Sequence, residues 1–337
     1  MNEHKEADFW KKLKENKVQC KLCPHFCVVE NGKFGKCHVR KNIDGKLYAM
    51  SYEMPVSINI DPIEKKPLYH FLPGTKTYSI GMAGCNLGCS FCQNWELSQK
   101  SAEELLSPKV EAKRIVEQAK ESGCPSISYT YSEPIVSYEF VMEVAKLARK
   151  KGLRNLLVSN GFINPEPLKK LCKHIDAANI DLKGITEDFY KKICGARLAP
   201  VLEALKIFKK KKVWLEVTNL IVPGLNDSKK DIEKLVLWVK DNLGVDVPLH
   251  LSAFHPMYKL KYVPPTTLEK LREAKDIALK QGLKYVYTGN LPDKEGSTTY
   301  CFKCRNPLIT RHGFSIVRSS IVQGKCKCKT KIAGIWE

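Results

Sequence analysis

From residue 78 onward, short β-rich apolar runs alternate with longer stretches whose apolar residues recur every three or four positions. Strands are predicted at 78–83, 126–131, 154–159, 177–182, 213–222, 248–254 and 284–289, and helices at 109–122, 134–151, 165–174, 198–210, 227–242 and 266–281. Ile115 with Ala119, and Val141 with Val144, Ala145 and Ala148, mark the apolar stripes. Strand–helix alternation of this kind predicts a parallel sheet covered by helices, either a partial β/α barrel or a doubly wound sheet.

The polar residues decide between the two. The first strand is followed by three cysteines, the second by Ser132, Glu133 and Pro134, and the third ends in Ser159, Asn160 and Gly161. Asp181 and Lys183 close the fourth, and His255 follows the sixth. A doubly wound sheet gathers its chemistry at one switch point. Polar groups at five strand ends fit a barrel, whose strands converge on one mouth. Residues 41–77 hold no long periodic helix, and the proline-punctuated 61–74 reads as an ordered loop. Within it, Lys66 and His70 read as packing or positioning residues first and catalytic candidates second. The expected units are a cysteine-rich knuckle (1–45), a lead-in loop (46–77), the β/α barrel (78–292) and a small C-terminal module (293–337).

Eleven of the fourteen cysteines fall in three groups. Cys85, Cys89 and Cys92 have the spacing C-x3-C-x2-C just after the first predicted strand. Three thiolates hold three irons of a 4Fe–4S cube, and no fourth cysteine in the loop closes it, so one iron stays open. Phe91 beside the third cysteine suits a site that covers a flat purine. Three ligands of a structural zinc are the competing reading. Cys20, Cys23, Cys27 and Cys37 form a compact N-terminal quartet with Gly32 and Gly35 at its turns. Structural zinc is the first reading there, an auxiliary iron–sulfur cluster the second, and His25 or His38 could replace a sulfur. Cys301-x2-Cys304 and Cys326-x-Cys328 flank a β-rich segment with a turn at His312-Gly313 and read as a zinc ribbon. Cys124, Cys172 and Cys194 stand alone and read as small buried apolar residues.

Composition narrows the setting. At 43% hydrophobic and 27% charged, the 337 residues predict a packed core. The N-terminal stretch lacks an apolar signal core, and no run approaches the ~18 apolar residues of a membrane span, so a cytoplasmic protein is expected. Clustered cysteines in a reducing compartment point to metals rather than disulfides. The formal charge of +20 comes mostly from lysines scattered over predicted helix faces, which reads as a solvated surface. Attraction of an acidic redox protein or of RNA is the functional alternative.

The loop GMAGCNLGCSFCQNW resembles the cluster loop of radical S-adenosylmethionine (SAM) enzymes. Residues 78–290 resemble the activating enzymes of glycyl-radical enzymes, typified by pyruvate formate-lyase activating enzyme, through CNLGCSFCQN, YSEP, SNGF, DLK, NLIVPGLND and AFHP. The knuckle CKLCPHFC…GKFGKC, the segment EKKPLYHFLPG and the C-terminal cysteine pairs extend the likeness along nearly the whole chain to the radical SAM member of the AmmeMemoRadiSam system. Two positions depart from the activating enzymes: Tyr131-Ser132-Glu133 stands where they show Gly-Gly-Glu, and Val158 stands where a carboxylate commonly precedes their Thr-Asn-Gly. The ferredoxin-like insertion that some of them carry after the third cysteine is absent, since no cysteine lies between Cys92 and Cys124.

The resemblance implies that SAM completes the open iron through its amino and carboxylate groups. An electron from a flavodoxin or ferredoxin then cleaves it to methionine and a 5′-deoxyadenosyl radical, which takes hydrogen from a substrate that is a protein or a small molecule. Glu133 and the backbone near Ser132 are expected at the methionine amino group, and Asn94 at the carboxylate or adenine edge. Ser159, Asp181 and Lys183 are expected around the ribose, Asn160 among the cofactor-binding residues, and His255 over the nucleoside. Glycyl-radical activation is the narrower alternative. A radical SAM RNA-modifying enzyme or a metal-stapled RNA-binding protein is the reading from another class.

Overall fold

The computed structural model describes residues 4–105 and 107–337; residues 1–3, the start of the expected N-terminal unit, and residue 106 lie outside the described residues. Its central sheet has eight strands: β1 (Pro55–Pro62), β2 (Lys76–Met82), β3 (Ser126–Tyr129), β4 (Arg154–Ser159), β5 (Ala177–Asp181), β6 (Trp214–Ile221), β7 (Leu249–Ala253) and β8 (Val286–Gly289). Each pairs with its neighbours in chain order, and all ladders are parallel except β1–β2. The ladder runs from β1 to β8 without closing, which makes a partial barrel.

Strands β3 and β7 are buried at every position, as expected where helices cover one face and side chains fill the other. Six helices cover the outside: α1 (Ala112–Glu121), α2 (Tyr138–Lys150), α3 (Pro165–Leu171), α4 (Leu198–Lys210), α5 (Lys229–Leu243) and α6 (Leu268–Lys280). Their starts are written locally. The Ser228 side chain accepts from the Asp231 N–H at the head of α5, and Thr267 accepts from Lys270 at the head of α6.

The expected lead-in loop is corrected in two places. Residues Pro55–Pro62 form the antiparallel edge strand β1. Its prolines sit at the two ends of the strand, where an edge tolerates a missing donor. Residues Arg40–Ile43 and Lys46–Ala49 form a hairpin turning at Asp44-Gly45, so the expected boundary between 45 and 46 cuts one paired unit.

The 61–74 loop is ordered by the tail. Glu216, buried on β6, accepts from the Tyr69 and His70 N–H groups at 3.0 and 2.8 Å. The His70 ring bonds the Ala333 carbonyl at 2.6 Å, and buried Arg311 donates to the Tyr69 carbonyl at 3.0 Å. Among the described residues no helix is long and apolar enough to cross a membrane.

Candidate active site

At the C-terminal ends of the strands lies a cavity of about 500 Å³, the size of a small-molecule site. Cys85, Cys89 and Cys92 line it together with Phe91, Asn94, Ser132, Glu133, Ser159, Asn160, Asp181 and Lys183. Of the residues expected around a nucleoside only His255 is missing. Its ring bonds the Asn290 carbonyl at 3.0 Å, and His250, which points inward from β7, lines the cavity instead. The physical reason is register: His255 lies two residues past the end of β7, beyond the alternation that aims a strand's side chains inward.

Hydrogen-bonding groups surround the sulfurs. The Leu87 N–H donates to Cys85 Sγ at 3.3 Å and Asn160 Nδ2 donates to the same sulfur at 3.5 Å, while Ser98 Oγ lies 3.2 Å from Cys92 Sγ. Such donors favour a thiolate and would tune a bound cluster's potential, while burial outweighs them in the empty site and pushes the Cys85 and Cys92 thiols up. The three thiols are not a single-ion site. Among the described residues, the only group of His, Cys, Asp or Glu whose ligand atoms all lie within 4.8 Å of one another is Cys301, Cys304, Cys326 and Cys328. Thiolates on separate corners of a cube also stand wider than the ligands of one ion, so the spacing leaves room for the larger group. Cys194, expected to be an inert buried residue, hydrogen-bonds the Cys89 thiol and lowers its pKa. It does not line the cavity, and a sulfur touching Cys89 is too close to serve another corner of the same cube.

Glu133 is buried at the end of β3. Burial pushes its pKa up to about 7, against the Asn160 N–H at 2.8 Å, the Ile135 N–H at 3.1 Å and the Ser159 hydroxyl at 2.8 Å. The expected ribose ligand Ser159 is thus committed to Glu133, and its oxygen also accepts from the Gly161 N–H at 3.0 Å. The Ser132 hydroxyl donates to the Met82 carbonyl, and Asn94 Nδ2 donates to the Tyr131 carbonyl at 2.6 Å. Asp181 and Lys183 pair at 2.9 Å. Burial works against the Lys183 charge, but Asp181 and Cys89 outweigh it and hold the pKa well above its ordinary value. The Phe91 ring stacks on Phe189 at 6.1 Å between centroids. Val158 faces the cavity as an apolar wall.

Sequence reasoning missed Asn86 and His250, and it read Lys66 as a packing or positioning residue before a catalytic candidate. Asn86, inside the cysteine loop, accepts from Asn160 Nδ2 at 2.9 Å and donates to the Phe162 carbonyl at 2.7 Å, fixing the loop to the end of β4. Lys66 lines the cavity, pairs with Asp61 at 2.6 Å and lies 4.4 Å over the Tyr131 ring; burial brings its pKa down to about 8 despite Asp61. For His250, the inward alternation of β7 was the signal that could have found it. Asn86 and Lys66 carry no such periodic signal.

Comparison with known proteins agrees with this geometry. The profile of the Radical SAM superfamily matches residues 79–239. An uncharacterised protein of Methanocaldococcus jannaschii is 48% identical over 331 residues, covering 97% of this chain and 98% of its own. The pyruvate formate-lyase-activating enzyme of Clostridium pasteurianum is 28% identical, covering 60% of this chain and 84% of that one. Among solved structures, a radical SAM methyltransferase from Sphaerobacter thermophilus shares the fold, with a TM-score of 0.52 at 16% identity over 65% of this chain and 67% of that one.

Proposed function

The chain belongs to the radical SAM superfamily, and on that footing we propose that Cys85, Cys89 and Cys92 hold a 4Fe–4S cluster at which SAM is cleaved reductively. Cys85, Cys89 and Cys92 would hold the cluster, which would supply the electron for cleavage of the sulfonium to methionine and a nucleoside-centred radical able to take a hydrogen atom from the substrate. The observation that carries this reading is the convergence of three thiols and the buried Glu133 on one cavity.

The chain's own residues do the positioning. Glu133, held by three donors, faces the SAM amino group. Asp181 and Lys183 offer an acceptor and a donor to the ribose in place of the carboxylate that Val158 lacks. Phe91 walls the purine side. Lys66, His250, Ser252 and Thr288 line the rest of the cavity, where the substrate enters. A reduced flavodoxin or ferredoxin is the proposed donor, and the +20 charge favours an acidic partner.

We place the chain with the radical SAM member of the AmmeMemoRadiSam system. That placement is supported by the knuckle, the EKKPLYHFLPG segment and the C-terminal cysteine pairs, none of which lies in the span matched by the superfamily profile. Glycyl-radical activation is a second reading, favoured by the 28% identity to an activating enzyme. In the test, anaerobically reconstituted protein given dithionite and SAM releases 5′-deoxyadenosine, and Cys89→Ala releases none. Equal release by that variant overturns the proposal. Electron paramagnetic resonance (EPR) of a candidate partner protein after incubation shows a glycine-centred doublet only if the second reading holds.

A further inference from the structure

We infer that Cys20, Cys23, Cys27 and Cys37 hold a second iron–sulfur cube, with every iron closed by protein, rather than a zinc ion. The four thiols line one small enclosed cavity in the knuckle, so they share an occupant. Its size follows from their spacing. A tetrahedral zinc with bonds of about 2.3 Å draws its sulfurs to roughly 3.8 Å from one another. The C-terminal quartet meets that, with Sγ–Sγ contacts of 3.7 Å for Cys301–Cys328 and 3.6 Å for Cys304–Cys326. Among the described residues no other three or more ligand atoms gather within 4.8 Å, so the N-terminal sulfurs stand wider than one ion allows. In this they behave as Cys85, Cys89 and Cys92 do. Four thiolates spread around a void fit a group that brings its own volume, one iron to each sulfur.

The surroundings are built for such a group. Arg40 is buried beneath the cavity and donates from Nη1 to Cys20 Sγ at 3.6 Å, with its second terminal nitrogen on Glu139. The knuckle also rests on the loop that carries the first cluster. A Cβ on Gly84 would lie 2.4 Å from the Cys37 carbonyl oxygen and 2.7 Å from Val39, so glycine there lets the two cysteine loops meet backbone to backbone. His25 bonds the Asn86 carbonyl inside that loop at 2.7 Å. The two cysteine loops are thus packed directly against each other.

The assignment rests on the radical SAM reading only for the first cube, and the experiment separates the two. Wild-type protein and a Cys85→Ala/Cys89→Ala/Cys92→Ala variant are reconstituted anaerobically and analysed for iron, sulfide and zinc. The wild type is expected to carry about eight irons and eight sulfides with one zinc per chain, and the variant about four irons and four sulfides with the same zinc. The variant stays brown, and its dithionite-reduced EPR spectrum is unchanged by added SAM because no iron is open. A variant with two zincs, or with no iron, overturns the inference. If wild type and variant both carry about four irons, the second cube stands and the radical-loop reading fails. Should the variant not fold, the wild type decides alone: about eight irons and one zinc support the second cube, about four irons and two zincs refute it.

Discussion

The two ends of the chain each gather four cysteines, and the sulfurs stand close at one end and apart at the other. The C-terminal quartet closes on itself around the hairpin of Pro307–His312 and Ser315–Ser319, with sulfur contacts near 3.7 Å. The N-terminal quartet surrounds a void and leans on the barrel through Arg40, His25 and the Gly84 contact. Both contain the same Cys-x2-Cys step, so that step does not distinguish them. What does is whether the segment must collapse to a point or wrap a body. A hairpin that ends in a closed ion folds around it as a unit. A knuckle docked on another cysteine loop has its width set by what it docks against.

The largest effect that sharpens this contrast is expected at the C-terminus. Cys304→Ser combined with Cys326→Ser should remove one zinc per chain and the local folding free energy that zinc contributes, on the order of 10 kcal/mol. Hydrogen exchange should show residues 299–337 losing protection while the barrel strands and the iron content stay as they were. Loss of iron together with zinc would erase the distinction between the two ends.

A smaller effect attaches to the N-terminal dock. Arg40 and Glu139 form a buried ion pair joining the knuckle to α2, and Asp8 bonds both through its backbone. Arg40→Met leaves Glu139 charged and buried and should cost about 3–5 kcal/mol in chemical denaturation. The Arg40→Met/Glu139→Leu double variant should recover most of it. If the single variant is neutral, the knuckle does not depend on the barrel in the way described.

The smallest effect lies between the two ends, at Glu133. An unfolded chain ionises this residue near its ordinary value of 4.5, whereas the folded protein holds it neutral up to about pH 7. Its folded pKa is raised, so its contribution is fully present below pH 4.5 and is lost as pH rises to 7, by at most about 3 kcal/mol. In metal-free protein, Glu133→Gln should flatten that part of the stability–pH profile and leave the rest alone. An unchanged profile would show that Glu133 is solvated and not buried.

The barrel was legible because its strands are buried on both faces and its helices carry apolar stripes; the predicted ranges 154–159 and 198–210 coincide with β4 and α4. The three thiols and the polar strand ends were legible for the same reason, since a parallel sheet aims its chemistry at one mouth. Edge strand β1 was not, because its exposed middle and terminal prolines carry no burial signal. His255 lies outside the cavity lining because its element ends before it. Cys194 was read as inert because nothing near it in sequence announces Cys89; only folding brings Tyr190–Cys194 under the loop, with the Gly88 N–H bonded to the Cys194 carbonyl at 2.9 Å.

Asn160 has a consequence of its own. Its backbone N–H holds the Glu133 carboxylate while its side-chain amide reaches the Cys85 sulfur and the Asn86 oxygen. Under the proposed function, one residue therefore wires the anchor for an amino acid to the cradle for an inorganic core. Emptying the cradle would let the anchor drift, so metal loading and affinity for the nucleoside should rise and fall together.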